Sequence, residues 1–299
     1  MCFDSLNSAD NWVYINMKRL TLQDLQTFKA TGEAITCVTA YDYAGIQMAE
    51  DAEIDILIPH DWGIGTALFG QTSSSSVTIE HVLFYLKGIV QSVRRAYILA
   101  PLPYGAYEIS NEQAIRNAAK LIKEGADSVI LQGSGIVLER IVSLTEVGIP
   151  CMGYLGYTPQ QVKKLGHERV VGDTAQEAVT LFNDTIAMEK AGAWGVILQN
   201  VPELIAKEIT DRTKLITIGL GGTRGCNGQM ALMHDLLGWP LDTMPLFSIK
   251  YADFFHRGLA ALNTYYNEVQ NLVFPEAQHT FAIADADYEL FLKEIKKES

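Results

Sequence analysis

Basic residues are scarce in this chain. Its 23 lysines and arginines stand against 35 aspartates and glutamates, a formal net charge of −12, and nowhere do they gather into a stripe that could track a phosphate backbone. That balance argues against nucleic acid as a partner. Cysteine is also sparse: Cys2, Cys37, Cys151 and Cys226 lie far apart with no C-x-x-C pair. This spacing fits buried free thiols in a reducing compartment better than a disulfide framework or zinc site, and leads us to expect a cytosolic protein. Long apolar runs are missing too, since no stretch approaches the roughly 20 continuous apolar residues that span a bilayer. The segment Met1 to Met17 contains Asp4, Asp10 and Asn11 and has no charged start followed by an apolar core, so it does not read as a signal peptide. We expect residues 1–16 to be an N-terminal extension. What the chain does have is 299 residues, 48% of them hydrophobic and 19% charged, enough to bury a core without metals or disulfides.

Short apolar runs alternate with longer segments of helical period from about residue 35 to residue 250, the pattern of repeated βα units. Candidate strands are Ile35–Ala40, Ile54–Ile58, Tyr97–Ala100, Ser128–Leu131, Pro150–Tyr154, Gly195–Leu198, Leu215–Ile218 and Met244–Phe247. Several, such as Val129-Ile130-Leu131, are apolar at every position, as parallel strands covered on both faces must be. Ser110 with Gln113 reads as a capping box, Ala114, Ile115, Ala118, Leu121 and Ile122 form one apolar helix face, and Gly125 falls where a left-handed cap belongs. Thr174 with Glu177 opens another helix that ends at Gly192. Eight strands with intervening helices favour a closed (β/α)8 TIM barrel over an open doubly wound sheet. No linker divides the chain, so residues 17–299 are expected to form one barrel domain, with extra C-terminal helices over Leu259–Gln270 and Asp285–Lys297.

Barrel chemistry sits where strands end. Those positions hold Tyr41 and Asp42, then His60, Asp61 and Trp62, then Pro101 and Pro103, then Gln132 and Ser134, then Tyr154, Gln199 and Asn200, and last the run Gly219 to Gly222. The set is poor in charge. A hard divalent cation needs several anionic oxygens, and only Asp42 and Asp61 qualify.

Thr39-Ala40-Tyr41-Asp42-Tyr43, Asp61 with Gly63, Leu102-Pro103 with Ala106-Tyr107, and Gly153-Tyr154-Leu155-Gly156 with Thr158-Pro159-Gln160 follow one another in order. They are succeeded by Gly219 to Gly222, Gly228-Gln229, His234-Asp235, and Val273-Phe274-Pro275 with His279. Over about residues 18 to 281 this resembles ketopantoate hydroxymethyltransferase, a magnesium-dependent (β/α)8 family of the phosphoenolpyruvate mutase and isocitrate lyase superfamily. The resemblance implies a one-carbon transfer to 2-oxoisovalerate through a metal-bound enolate, and a large homo-oligomer, a decamer.

Residue by residue, the family's site does not carry over. Asp61 matches the first metal-binding Asp, but between His60 and Trp62; the second falls on Pro101, which has no side-chain ligand. The family's Lys and Glu fall on Ile130 and Gln132, its His on Tyr154, and its proton-transfer Glu on Gln199. Gln cannot act as a general base near neutral pH, and one Asp is a poor magnesium site. Both Glu positions became Gln, which keeps shape and removes charge, so the pocket reads as neutralised and still in use. We therefore expect no metal and no cofactor. Asp61, Gln132, Tyr154 and Gln199 are the candidate catalytic residues, and Tyr41, His60, Trp62, Tyr104, Ile130 and Asn200 the candidate substrate contacts.

Each has a plainer alternative. Asp61 could cap the next helix; His60, its neighbour on a strand, should point to the opposite face and pack or meet solvent. Gln132 and Gln199 could simply satisfy backbone, and Tyr154 could pack. The Gly219 to Gly225 run lacks a Gly-Lys-Ser/Thr ending and reads as a tight βα turn, although Arg224 would suit an anion. His234-Asp235 and His279 read as structural, and Cys151 and Cys226 lack a basic neighbour that would activate them. Three functions remain open: metal-independent chemistry (a cyclisation, aldol-type or related C–C bond step) on a neutral or apolar carbonyl compound in specialised metabolism, a non-catalytic binding or assembly barrel, or the family's own activity.

Overall fold

The computed structural model describes residues 18–70, 74–239 and 247–297. The expected N-terminal extension, residues 1–16, lies outside them. The described chain falls into two compact units, one through Tyr251 and one from Ala252.

The first unit is a closed barrel of eight parallel strands in sequence order. They are β1 (Ile35–Thr39), β2 (Ile56–Ile58), β3 (Tyr97–Pro101), β4 (Ser128–Gln132), β5 (Cys151–Gly156), β6 (Gly195–Gln199), β7 (Ile216–Leu220) and β8 (Gly228–Ala231). The ring shuts where β8 pairs with β1, Ile35 opposite Gly228 and Cys37 opposite Met230. Around it run α1 (Leu22–Thr31), α2 (Tyr43–Asp51), α3 (Asp61–Phe69), α4 (Ile79–Ser92), α5 (Asn111–Glu124), α6 (Ile136–Glu146), α7 (Val162–Leu165), α8 (Ala175–Lys190), α9 (Glu203–Arg212) and α10 (Met233–Leu237).

Side-chain parity divides the core in two. Ile56, Ile58, Leu99, Ile130, Met152, Ile197 and Ile218 point to the barrel axis with Leu25 of α1 packed among them, whereas Leu57, Ile98, Val129, Leu131, Val196 and Leu198 pack outward on the helices. This is why the strands read as apolar at every position: both faces are dry. The expected caps are in place. Ser110 accepts the Gln113 amide at 3.1 Å and Thr174 the Glu177 amide at 3.2 Å, while Gly125 closes α5 at φ 116°; the box expected at Ser110 is half formed, since Gln113 Oε1 accepts from the Ile109 amide instead of that of Ser110.

One strand was misplaced. The eighth is Gly228–Ala231, not Met244–Phe247, of which residues 244–246 lie outside the described residues and Phe247 is in a turn. The error has a physical source: Gly228-Gln229-Met230-Ala231 is short and partly exposed, so it carries no apolar run. Its companion is that the Gly219 to Gly225 segment is no βα turn. It leads from β7 straight into β8 with no helix between.

The second unit contains α11 (Phe254–Gln270) and α12 (Asp285–Ile295), helices where the sequence pattern placed them, and neither buries a residue completely. No helix among the described residues is long and apolar enough to cross a membrane.

Candidate active site

Extending the inward parity of each strand by one step reaches a layer of different chemistry. Above Leu99 comes Pro101, above Ile130 Gln132, above Met152 Tyr154, above Ile197 Gln199 and above Ile218 Leu220, and His60 joins them from the N-cap of α3. The apolar barrel is thus closed at its C-terminal end by uncharged groups, polar at His60, Gln132, Tyr154 and Gln199 and apolar at Pro101 and Leu220. Over this layer opens a cavity of about 720 Å³ whose wall includes His60, Trp62, Ser74, Tyr154, Gln199 and Leu220.

Tyr154 is wholly buried, and its hydroxyl donates to Gln199 Oε1. Burial pushes the Tyr154 phenol well above its ordinary range, so it stays a donor. With its carbonyl engaged, Gln199 has its amide NH2 left to offer to the cavity it lines.

His60 corrects the sequence reading. The strand rule of alternating faces does not reach it, because β2 ends at Ile58 and α3 begins at Asp61, so His60 is the helix N-cap. It is 3% exposed, lines the cavity, and its Nδ1 accepts the Trp62 amide at 3.3 Å, the same distance at which it faces Asp61 Oδ1. Burial lowers its pKa, which keeps the ring neutral. With Nδ1 accepting, the proton sits on Nε2, which is buried and has no hydrogen-bond partner. Ser74 Oγ, also on the cavity wall, is buried and unpartnered as well.

Asp61 lies beneath the cavity wall, fully buried. Its Oδ1 accepts the Trp62 amide at 3.0 Å and its Oδ2 the Gln160 side-chain amide at 2.8 Å. The helix-capping alternative is therefore realised in part. Gln160 also donates to Leu102 O at 2.9 Å and accepts from the Tyr107 hydroxyl at 2.6 Å, while its backbone amide donates to Gln132 Oε1 at 3.2 Å. Gln132 Nε2 stays buried without a partner. Gln160 is thus the hub of the layer, and sequence reasoning gave it no role, because its weight comes from contacts 28 to 99 residues away.

Four expected substrate contacts are not on the wall. Tyr104 is 54% exposed, outside the cavity; Ile130 is 1% exposed, one layer down the axis. Tyr41 packs edge-on to Tyr85 and against His234, its hydroxyl lying over Gly63. Asn200, at φ 54°, donates its amide to Glu168 at 2.9 Å and so backs a wall residue without being one. Asp42 caps α2 by accepting the Gly45 amide at 2.7 Å. Conversely, His234 and Asp235, which read as structural, line the cavity, because the short β8 delivers α10 to the mouth. Their adjacency at the end of a glycine-rich segment was the available signal.

Magnesium does not fit these residues. Asp61 brings one carboxylate already engaged at both oxygens, Pro101 brings no donor, and no group of three or more His, Cys, Asp or Glu among the described residues is arranged to hold a metal. A second depression, bounded by Ser134, Asp184, Arg169 and Glu177, has its polar groups paired with one another, Ser134 to Asp184 at 2.7 Å and Arg169 to Glu177 at 2.8 Å.

A closed parallel barrel with its polar layer and cavity at the C-terminal mouth defines a (β/α)8 TIM-barrel protein. The structure is similar to a phosphonopyruvate hydrolase solved with oxalate and magnesium (TM-score 0.59, 10% identity, covering 93% of this chain and 98% of that one). It is also similar to a 2,3-dimethylmalate lyase of the PEP mutase/isocitrate lyase superfamily (TM-score 0.55, 13% identity, covering 93% and 100%). Residues 19–277 match the family model of ketopantoate hydroxymethyltransferase, and the chain belongs to that family. It is 35% identical to the 3-methyl-2-oxobutanoate hydroxymethyltransferase of Nitratidesulfovibrio vulgaris over 282 residues, 94% of this chain and 91% of the relative.

Proposed function

We propose that this chain is a member of the family that binds a neutral carbonyl compound at the barrel mouth without a metal, and carries out a carbon–carbon bond step such as an aldol-type reaction or cyclisation in specialised metabolism. The observation that carries this reading is that one cavity is lined by two uncharged hydrogen-bonding residues, His60, whose buried Nε2 has no partner, and Gln199, whose carbonyl is already engaged by Tyr154. Two such donors suit a carbonyl oxygen and the enolate it becomes. The charged groups on the wall are the carboxylates Glu168 and Asp235 and one arginine, Arg224, whose side chain is 83% exposed. A small 2-oxo acid anion finds no buried cation there, so an uncharged ligand is favoured. Trp62 and Leu220 supply apolar wall, and the Trp62 backbone amide, shared between His60 Nδ1 and Asp61 Oδ1, fixes the His60 ring from behind.

Binding of 3-methyl-2-oxobutanoate and of its methyl ester, followed by saturation-transfer NMR with and without magnesium, tests this. The ester should bind at least tenfold more tightly, with no effect of magnesium or EDTA. Magnesium-dependent binding of the anion together with exchange of its C3 hydrogen would favour the family's own activity, which the family membership makes the rival reading. Binding of neither would leave the non-catalytic barrel.

The cytosolic setting is part of the same proposal and is supported by the free thiols of Cys37, Cys151 and Cys226. So is a homo-oligomer, a decamer by family analogy, which is supported by the apolar stripe Phe255, Leu259, Leu262 and Tyr266 left exposed on α11. Light scattering on the purified protein checks it; a monomer at micromolar concentration rejects it.

A further inference from the structure

Gln199 offers the cavity no base at the end of β6, and any carbon–carbon step through an enolate needs one. The wall carries few titratable groups that could serve. His60 is turned to donate, Tyr154 is a buried donor, and Glu168 accepts from Asn200. Asp235 accepts from the Ser248 hydroxyl at 2.8 Å. His234 is different. It lines the cavity, and among the described residues its ring meets other rings and takes part in no side-chain hydrogen bond. The ring is held by packing alone, 5.5 Å from the Tyr41 ring and 6.2 Å from that of Trp239.

Its position on the ring of strands is the second observation. Gln199 ends β6, His234 follows β8 and His60 follows β2, and the barrel order runs β6, β7, β8, β1, β2. In the order of strands around the barrel, His234 therefore falls midway between His60 and Gln199. Resting on the reading above, we propose that His234 is the catalytic base of this site, taking a proton from the carbon next to the ligand's carbonyl. In that step the C–H bond breaks, the proton passes to the free imidazole nitrogen, and the electron pair moves onto the carbonyl oxygen. The enolate formed is held by His60 Nε2 and the Gln199 amide. The imidazolium returns its proton to carbon or exchanges it with water, so no oxidant or co-reactant is required.

Charged and titratable groups face the ring from each neighbour: Asp42 at the start of α2, Asp235 beside it, and the Tyr41 phenol. Burial lowers the His234 pKa, and the two carboxylates partly oppose that. At neutral pH the ring is accordingly the free base.

The test is deuterium exchange at C3 of methyl 3-methyl-2-oxobutanoate in D2O, read by proton NMR. The protein should catalyse exchange, His234→Gln should slow it at least 100-fold while ester affinity changes less than threefold, and added imidazole should restore His234→Ala at least tenfold. The rate should rise through one ionisation below pH 6.5 and flatten above it, a limb absent from His234→Gln. Exchange by His234→Gln within threefold of the parent, or no rescue by imidazole, overturns the inference and leaves the carbonyl-binding reading intact. Binding of the ester without exchange does the same. Failure of the parent protein to bind the ester overturns the reading, and the inference with it.

Discussion

The side-chain amide of Gln160 donates to Asp61 Oδ2 at 2.8 Å, joining residues 99 positions apart. Among the described residues, the one buried carboxylate at this mouth is satisfied by a neutral amide and lies beside the ring of His60. A buried carboxylate is tolerable only when its oxygens are paired, so the amide and the aspartate stand or fall together.

Gln160→Leu should therefore destabilise the barrel by about 2–4 kcal/mol, since Asp61, Leu102 O and the Tyr107 hydroxyl all lose a buried partner. Adding Asp61→Asn in the same chain should recover part of this, because the desolvated charge is gone. Urea unfolding of the single and double variants measures it; additive effects would break the link.

Tyr154→Phe keeps the ring and removes the hydroxyl that donates to Gln199 Oε1. The expected loss is about 1–2 kcal/mol of stability, with carbonyl-ligand affinity reduced about fivefold as the Gln199 amide loses its fixed orientation. Thermal melts and ligand titration read the two effects separately.

Gly156→Ala should be among the costliest single changes at the mouth. Gly156 sits at φ 84°, and an added Cβ would lie 2.2 Å from the backbone oxygen of Gln199, which cannot move without breaking its bond from the Tyr157 amide at 2.9 Å. We expect a loss of about 3 kcal/mol or more by chemical denaturation, in line with steric and backbone strain acting together. A neutral outcome would mean the β5 end is loosely held.

Acid should weaken the fold first through its buried histidines. His60 and His234 have pKa values below their ordinary 6.5 in the folded chain, so between that value and their folded ones the unfolded chain holds more protons. Stability is full above pH 6.5 and falls as pH drops beneath it. Asp127 and Asp235, raised above 3.8 by burial, act in the opposite sense over a window that opens at that lower value. Urea midpoints from pH 5 to 7.5 should slope upward, and His60→Asn should flatten part of the slope.

Much of the architecture is written in local pattern. Val129-Ile130-Leu131 announces a strand dry on both faces, and Ser110 with Gly125 brackets its helix, because parity, capping and left-handed glycine act within a few residues. β8 escaped because its short sequence gains strand geometry only from pairing with β1 and β7. At the site, Tyr154 and Gln199 were legible from strand ends and meet as a pair, whereas Tyr104 and Ile130 were not wall residues: a position near a strand end does not say how far along the barrel axis a side chain reaches.

From the sequence alone came the barrel, the family, and the neutral character of the strand ends at Pro101, Ile130, Gln132 and Gln199, because residue identity and short-range periodicity are properties of the chain itself. Tertiary structure alone decided that His60 turns inward beside Asp61, that Gln160 ties the polar layer together, and that His234 reaches the cavity. These depend on where a strand gives way to a helix and on which distant segments the closing of the ring brings face to face, and no local pattern encodes either.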